Sequence, residues 1–200
     1  KGVLSFDGED WQIIKTPDMP TVLAISSATN TIYVGCRNTI GYLVKNALGK
    51  YQFNSLFNSK TSFVSQIIIQ DHEVYFLSDS LLLKTEDKSI PANAMVVNKE
   101  ANKFIYIFSV GRQLYIDIAE KGLFLWKNNK PQTQVKNFPL SNRIIFNIPL
   151  ENGTLLGATD NKLYLFDGKN ISPFKTQATQ ILMQGSIVGG KKVNQSVIAI

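Results

Sequence analysis

Apolar residues come in runs of four to seven along this chain, rich in Val, Ile, Leu, Tyr and Phe, with Gly, Asn, Asp, Ser and Lys between them. The three-to-four-residue spacing of an amphipathic helix is almost absent. Short apolar runs bounded by turn formers predict strands and turns, and so an all-β protein. Four segments share one pattern: TIYVGCRNTIGYLVKN from Thr31, HEVYFLSDSLLLKTED from His72, RQLYIDIAEKGLFLWKNN from Arg112 and GTLLGATDNKLYLFDGKN from Gly153. Each reads as strand, short polar turn, strand. The opening GVLSFDGEDW matches the second half of that unit. Anchored on the residue before the second strand, the copies fall at Gly2, Gly41, Ser80, Gly122 and Lys162, with spacings of 39, 39, 42 and 40 residues. The tripeptide Phe-Asp-Gly therefore recurs, at Phe6 and at Phe166, because it marks the same turn in two copies of one unit.

A period of about 40 residues with four short strands is the arithmetic of a β-propeller blade. With strands lettered A to D, the first complete blade reads TVLAISSAT, TIYVGCR, IGYLVKN and YQFNSLF. The second begins near Ser62, the third near Lys103 and the fourth near Arg143. The chain opens with strands C and D alone and ends with A and B alone, ILMQGSIVGG and QSVIAI. The expected architecture is one propeller domain over residues 1–200: a split blade (1–18 plus 178–200) and blades of about 21–60, 61–100, 101–140 and 141–177. Pairing the two halves would give five blades and protect the terminal sheet edges. The alternative is a segment of a larger propeller of about seven blades, with the missing strands supplied elsewhere.

The pattern assigns roles to individual residues. Both faces of a blade pack on neighbours, so apolar residues fill nearly every strand position. Asp7-Gly8 and Asp167-Gly168 are expected to supply the positive φ of two-residue hairpins between strands C and D, with Asn128-Asn129 doing the same in the third blade. Trp11 reads as a packing residue in strand D. The helical exclusions matter as well: no run of 18 apolar residues exists to span a membrane as a helix. The N-terminus carries no signal-peptide pattern and no initiating Met, so the chain is expected to be a mature or excised piece of a longer protein.

Composition sharpens this only a little. At 44% hydrophobic and 18% charged, the chain has ample material for a core, which excludes a disordered segment. One cysteine, Cys36, excludes an internal disulfide and leaves the compartment open. The net charge of +6 is spread without a Lys/Arg block, so it reads as a solvated basic surface and not as a nucleic-acid patch.

The repeat resembles a known family. Tyr33-Val34-Gly35-Cys36 followed by Gly41-Tyr42-Leu43, Leu114-Tyr115-Ile116 with Gly122-Leu123-Phe124, and Gly157-Ala158-Thr159 with Leu163 through Gly168 are similar to the two-component-regulator propeller repeat. The His72–Asp87 copy lacks both the Gly-Thr and the Gly-Leu elements. The resemblance implies a periplasmic or other extracytoplasmic sensor domain of a membrane-anchored hybrid two-component regulator from the Bacteroidetes type. Such a domain would bind a saccharide or peptide-like signal and pass a conformational change to the rest of the signalling protein. No kinase, receiver or DNA-binding segment lies in this chain, and a cytoplasmic location stays open.

Catalytic chemistry finds little footing. The single histidine, His72, sits in a turn-forming sequence, QDHE, with no nucleophile at a supporting spacing. No His/Cys/carboxylate cluster or calcium-loop pattern stands out, so no metal and no cofactor is expected. Asp79, Asp117, Glu120 and Asp160 could form an acid–base pair for glycosidase or lyase work, but they read as ordinary turn acids. Gly185 to Lys192 approximates a phosphate loop, yet lacks the final Ser/Thr and is followed by a strand pattern. It reads as the A–B turn of the split blade. The sequons at Asn152, Asn170 and Asn194 arise readily in an Asn-rich chain. In a propeller the B–C turns and D–A loops share one face, where ligands bind. That face is expected to carry Arg37, Asn38, Asp79, Glu120, Lys121, Asp160 and Asn161. The expected function is ligand sensing, with a protein-docking scaffold and a polysaccharide-active enzyme as the alternatives. Partners would be an oligosaccharide or peptide, the parent protein and a second copy in a homodimer. Neither nucleic acid nor direct membrane contact is required.

Overall fold

The computed structural model describes residues 1–58, 63–99, 103–139, 141–193 and 196–199, with side chains to residue 192. The chain forms two compact units, Lys1–Asn102 and Lys103–Ile200. Among the described residues no helix is long and apolar enough to cross a membrane.

The first unit begins with a two-stranded hairpin, β1 (Gly2–Phe6) and β2 (Trp11–Lys15). Two four-stranded antiparallel meanders follow. One is β3 (Pro20–Ile25), β4 (Ile32–Cys36), β5 (Thr39–Lys45) and β6 (Tyr51–Asn58); the other is β7 (Val64–Gln70), β8 (Glu73–Ser78), β9 (Leu82–Glu86) and β10 (Met95–Asn98). The second unit has the meanders β11 (Phe104–Val110), β12 (Gln113–Ile118), β13 (Gly122–Lys127), β14 (Lys130–Gln134) and β15 (Ile144–Leu150), β16 (Gly153–Ala158), β17 (Leu163–Phe166), β18 (Ile171–Pro173). It ends with a short helix, α1 (Thr179–Gln184), and the hairpin β19 (Gly190–Val193) and β20 (Ser196–Ala199). These are the A-to-D meanders of propeller-like blades. Gln195 and Ile200 of the expected last strand, and Asn194, lie outside the described residues.

The repeat extends to details the sequence does not spell out. In each of the four complete blades strand A is bulged after its first residue, with register shifts at Pro20/Val22, Val64/Gln66, Phe104/Tyr106 and Ile144/Phe146. The strand-B residue facing each bulge is Gly35, Leu77, Asp117 or Gly157. At two of these the packed side chains leave room only for glycine. A Cβ on Gly35 would stand 2.6 Å from Val64 Cγ1, and one on Gly157 would stand 2.1 Å from the Phe146 ring.

Blades pack face to face through a tyrosine on strand B. Tyr33 lies edge-on to Phe76 of the following blade, centroids 6.1 Å apart. Its hydroxyl donates to Asp87 at 2.9 Å. In the second unit Tyr115 meets Phe166 at 4.9 Å and donates to the Gly168 carbonyl at 2.6 Å. Each tyrosine thus ties its own blade to the C–D turn of the next.

Several expectations need correction. The Asp-Gly turns are four-residue loops and not two-residue hairpins. Asp7 Oδ1 accepts from the Glu9 and Asp10 amides at 3.0 and 2.8 Å. Asp167 Oδ1 likewise accepts from Lys169 and Asn170 at 2.8 and 2.6 Å. The carboxylate satisfies the loop amides, so two more residues fit. These backbone donors hold both carboxyls below the ordinary carboxylate range. Of the three expected turns, Asn128-Asn129 alone, with φ of 53° and 59°, is the two-residue positive-φ kind. Trp11 does not pack into a core. It stacks on Phe6 at 4.8 Å and is 65% exposed. Phe6 is 51% exposed, whereas its counterpart Phe166 is fully buried beneath Tyr115 and Phe108. With Leu4 and Ile13, these residues make an uncovered apolar face on the first hairpin. The segment read as strand A of the split blade is instead α1 and a loop, because Gln, Leu and Met favour helix; strand A starts at Gly190. Gly185 to Gly189 therefore lies in the D–A connection and is not an A–B turn.

Candidate ligand-binding site

In the second unit a cavity of about 290 Å³ opens between the start of β17, the end of β18 and α1. Its floor and walls are Leu163, Tyr164, Pro173, Phe174, Leu182 and Met183. Asn161, Lys162, Lys175 and Thr179 stand at its polar margin. The cavity lies at the B–C turn and D–A loop end of the blade.

Local chemistry builds it from both sides. Phe174 donates its amide to the Leu163 carbonyl at 2.7 Å, carrying the β17–β18 ladder one step beyond Pro173. The chain then leaves the sheet and turns into α1. Leu182 packs against the cluster of Phe146, Ile148, Leu155, Leu163 and Ile187, which holds the helix to the blade. Asn161 clamps the far end. Its Nδ2 donates to the Gly185 carbonyl at 2.7 Å, and its Oδ1 accepts from the Ile187 amide at 3.0 Å. Asn161 sits at φ 59°, a conformation that Asn tolerates better than most residues.

The polar groups behind the cavity are mutually satisfied. Tyr164 donates to Asp160 at 2.7 Å and accepts from Asn142 at 3.2 Å. Lys162 pairs with Asp160 at 3.3 Å. Burial raises the Asp160 carboxyl, but the bonds from Tyr164, Asn142 and Lys162 outweigh it and leave the group below its ordinary range. Burial first, and the Asp160 bond and charge after it, push the Tyr164 phenol well above its ordinary value. Thr179 Oγ accepts from the Thr176 amide at 2.7 Å. For the exposed Lys175 side chain no partner occurs among the described residues.

The other expected site residues fare differently. Asn38 gives its amide to Asp18, which also accepts from the Met19 amide at 2.8 Å and pairs with Lys1 at 3.3 Å. It therefore fixes the β2–β3 connection. Arg37 is exposed and its amide donates to the Met19 carbonyl at 2.9 Å. Asp79 is exposed in the β8–β9 turn. Glu120, at φ 62°, and Lys121 form the β12–β13 turn, whose Lys121 carbonyl accepts from Gln134 at 2.6 Å. Of the seven, Asn161 lines the cavity and Asp160 supports it through Tyr164 and Lys162.

Asp117 is no turn acid. It is buried on β12, with Oδ2 accepting from the Ile144 amide at 3.0 Å and Oδ1 without a partner among the described residues. Sequence reasoning also missed Asp87. That buried carboxylate accepts from Ser26, Thr29 and Tyr33 at 2.6, 3.0 and 2.9 Å. It occupies the C–D turn position of Asp7 and Asp167, which is the signal that could have located it. Phe174, Lys175, Leu182 and Met183 were missed because α1 was read as strand; the length of chain between Ile171 and Gly190 was the available clue.

A second cavity, of about 300 Å³, lies in the first unit among Glu73, Lys84, Thr85, Glu86, Asn93 and Met95. Its charges are matched by the Glu73–Lys84 pair at 2.6 Å and by the pairing of Glu86 with Lys88. Among the described residues no three of His, Cys, Asp and Glu are grouped to hold a metal ion.

No protein-family model matches the sequence, and no curated protein matches it. Solved structures do. A computationally designed protein, Ika8, is similar with a TM-score of 0.61 at 10% identity, over 90% of this chain and 54% of that one. The extracellular domain of BT4673 from B. thetaiotaomicron, described as a one-component system, gives 0.60 at 12% identity, over 88% of this chain and 25% of that one. PorZ, an essential surface component of the type-IX secretion system of Porphyromonas gingivalis, gives 0.55 at 13% identity, over 90% and 23%. The chain thus spans about half of the designed protein and about a quarter of the two bacterial ones. At these identities the likeness establishes the fold alone: an all-β array of four-stranded antiparallel blades, shared with bacterial extracellular and surface proteins.

Proposed function

We propose that this chain is the ligand-sensing part of a larger extracytoplasmic regulator of the two-component propeller type, and that its ligand binds in the cavity beneath α1. One observation carries the reading. The D–A connection of the last complete blade folds into a helix that roofs an apolar cavity, at the blade end where propeller ligands bind, and Asn161 holds that roof in place. The fold shared with the extracellular domain of BT4673, described also as a hybrid two-component system, supports the setting. On this reading the segment binds and does not catalyse. Its partners are a small ligand, the remainder of the signalling protein and a second copy of the domain, and any kinase step belongs to that remainder.

The blade count belongs with this proposal. The terminal hairpins supply strands C–D and A–B, the complementary halves of one blade. The apolar face of Leu4, Phe6, Trp11 and Ile13 is the kind of surface that a neighbouring blade covers. A five-bladed ring and a larger ring both provide such a neighbour.

The test is a thermal-shift panel of oligosaccharides, peptides and small organic acids, run on the chain and on Asn161→Gly. A ligand that binds only the native state must raise the midpoint. A compound that raises it for the parent chain and much less for the variant supports the reading. No shift across the panel contradicts it.

A further inference from the structure

Resting on the reading that the cavity beneath α1 is the ligand site, we infer that its ligand is a small apolar monoanion, an aliphatic or aromatic carboxylate, and not a saccharide. The walls supply hydrocarbon and ring surface from Leu163, Tyr164, Phe174, Leu182 and Met183. A sugar presents a hydroxyl on nearly every carbon, and each one buried without a partner is costly. The cavity has few groups to offer. Both polar atoms of Asn161 are used on Gly185 and Ile187, and the Tyr164 hydroxyl is used on Asp160 and Asn142.

The charge at the rim selects the sign. Lys162 is matched by Asp160 at 3.3 Å, so that pair adds no net charge. Lys175 stands at the margin with no partner among the described residues, leaving one surplus positive charge. One surplus cation over an apolar chamber complements one anionic head on an apolar body. A volume of about 290 Å³ falls at the small end of the ~300–1,000 Å³ range for drug-sized ligands. The body is therefore short. Met183 and Phe174, both partly exposed at the mouth, can repack around bodies of differing shape, as unbranched Met does at adaptable surfaces.

The experiment is titration calorimetry of the 200-residue chain with sodium octanoate, 1-octanol, octylammonium and cellobiose, with amide chemical-shift mapping of any complex. The expected result is saturable octanoate binding that moves the amides of Leu163, Tyr164, Phe174 and Leu182. Octanol and octylammonium should bind at least about tenfold more weakly. Lys175→Glu should weaken octanoate by about tenfold and leave octanol unchanged, while its dispersed amide spectrum shows that it still folds; Lys175→Gln should fall between. Three outcomes overturn the inference: octanoate and octanol binding alike, indifference of octanoate to Lys175→Glu, or no octanoate binding at millimolar concentration. Cellobiose moving the same amides would also overturn it, yet would leave the ligand-sensing reading standing. That reading falls separately, on a thermal-shift panel without a single hit.

Discussion

Replacing Asp117 by Asn should remove a specific pH dependence from the stability of the second unit. The carboxyl is 1% exposed on β12, one oxygen bonded to the Ile144 amide and the other unpartnered among the described residues. Burial raises it from 3.8 to about 6, against the opposing pull of the Ile144 bond and the Arg143 charge. A folded-state value above the unfolded one means that the folded chain holds the proton more tightly. The native state is then favoured in acid and loses that advantage as pH rises from about 4 through about 6. In full, this difference corresponds to about 3 kcal/mol. Of that, about 2 kcal/mol is lost between pH 4.5 and 7.5. Asn cannot titrate, so the stability of the variant relative to the parent should climb by about 2 kcal/mol over that interval. The constant offset depends on how the second amide donor settles, but the slope does not. Urea unfolding followed by the fluorescence of buried Trp126, repeated at several pH values with equal m-values, measures it. Parallel stability curves for parent and variant, within about 0.5 kcal/mol across the range, would refute the reasoning.

Three further outcomes follow from the packing. Asp87→Ala leaves Ser26, Thr29 and Tyr33 without their shared acceptor and should cost the first unit at least about 2 kcal/mol in urea unfolding, with Asp87→Asn costing less; an unchanged midpoint in the alanine variant would show the carboxylate to be dispensable. Asn161→Gly keeps the positive φ but loses both bonds to the 185–187 loop, so limited proteolysis should cut residues 174–189 sooner, while a cleavage pattern equal to the parent's would contradict the clamp. Trp126→Phe leaves Trp11 as the sole tryptophan and breaks no indole hydrogen bond among the described residues; acrylamide should then quench Trp11 freely where a larger ring supplies the covering blade from outside this chain, and a protected Trp11 would instead mark the closed five-bladed ring.

The repeat was legible because a blade buries both faces: the apolar positions of IYVGC, VYFLS, LYIDI and LLGA recur at fixed offsets whatever the turns do. Strand order followed from that alone. The bulge in strand A was not legible, since Val22, Gln66, Tyr106 and Phe146 share a backbone position without sharing chemistry. Likewise, Asp7, Asp87 and Asp167 look equivalent in sequence. Two of them cap their own loops, and one reaches the neighbouring blade, because Ser26, Thr29 and Tyr33 await it there. The candidate site was half legible. Asp160 and Asn161 were placed by repeat position, whereas the roof that gives Asn161 its task is a departure from the repeat. Six helical residues after a strand carry too weak a local signal to outvote four copies of a β pattern.

The central claim is that ligand binds beneath α1. Hydrogen–deuterium exchange with the panel compound that raises the unfolding midpoint most tests it directly. The account predicts protection concentrated in residues 161–164 and 173–187. Protection at the turns of Arg37–Asn38, Asp79 or Glu120–Lys121 instead, with α1 unchanged, would contradict it.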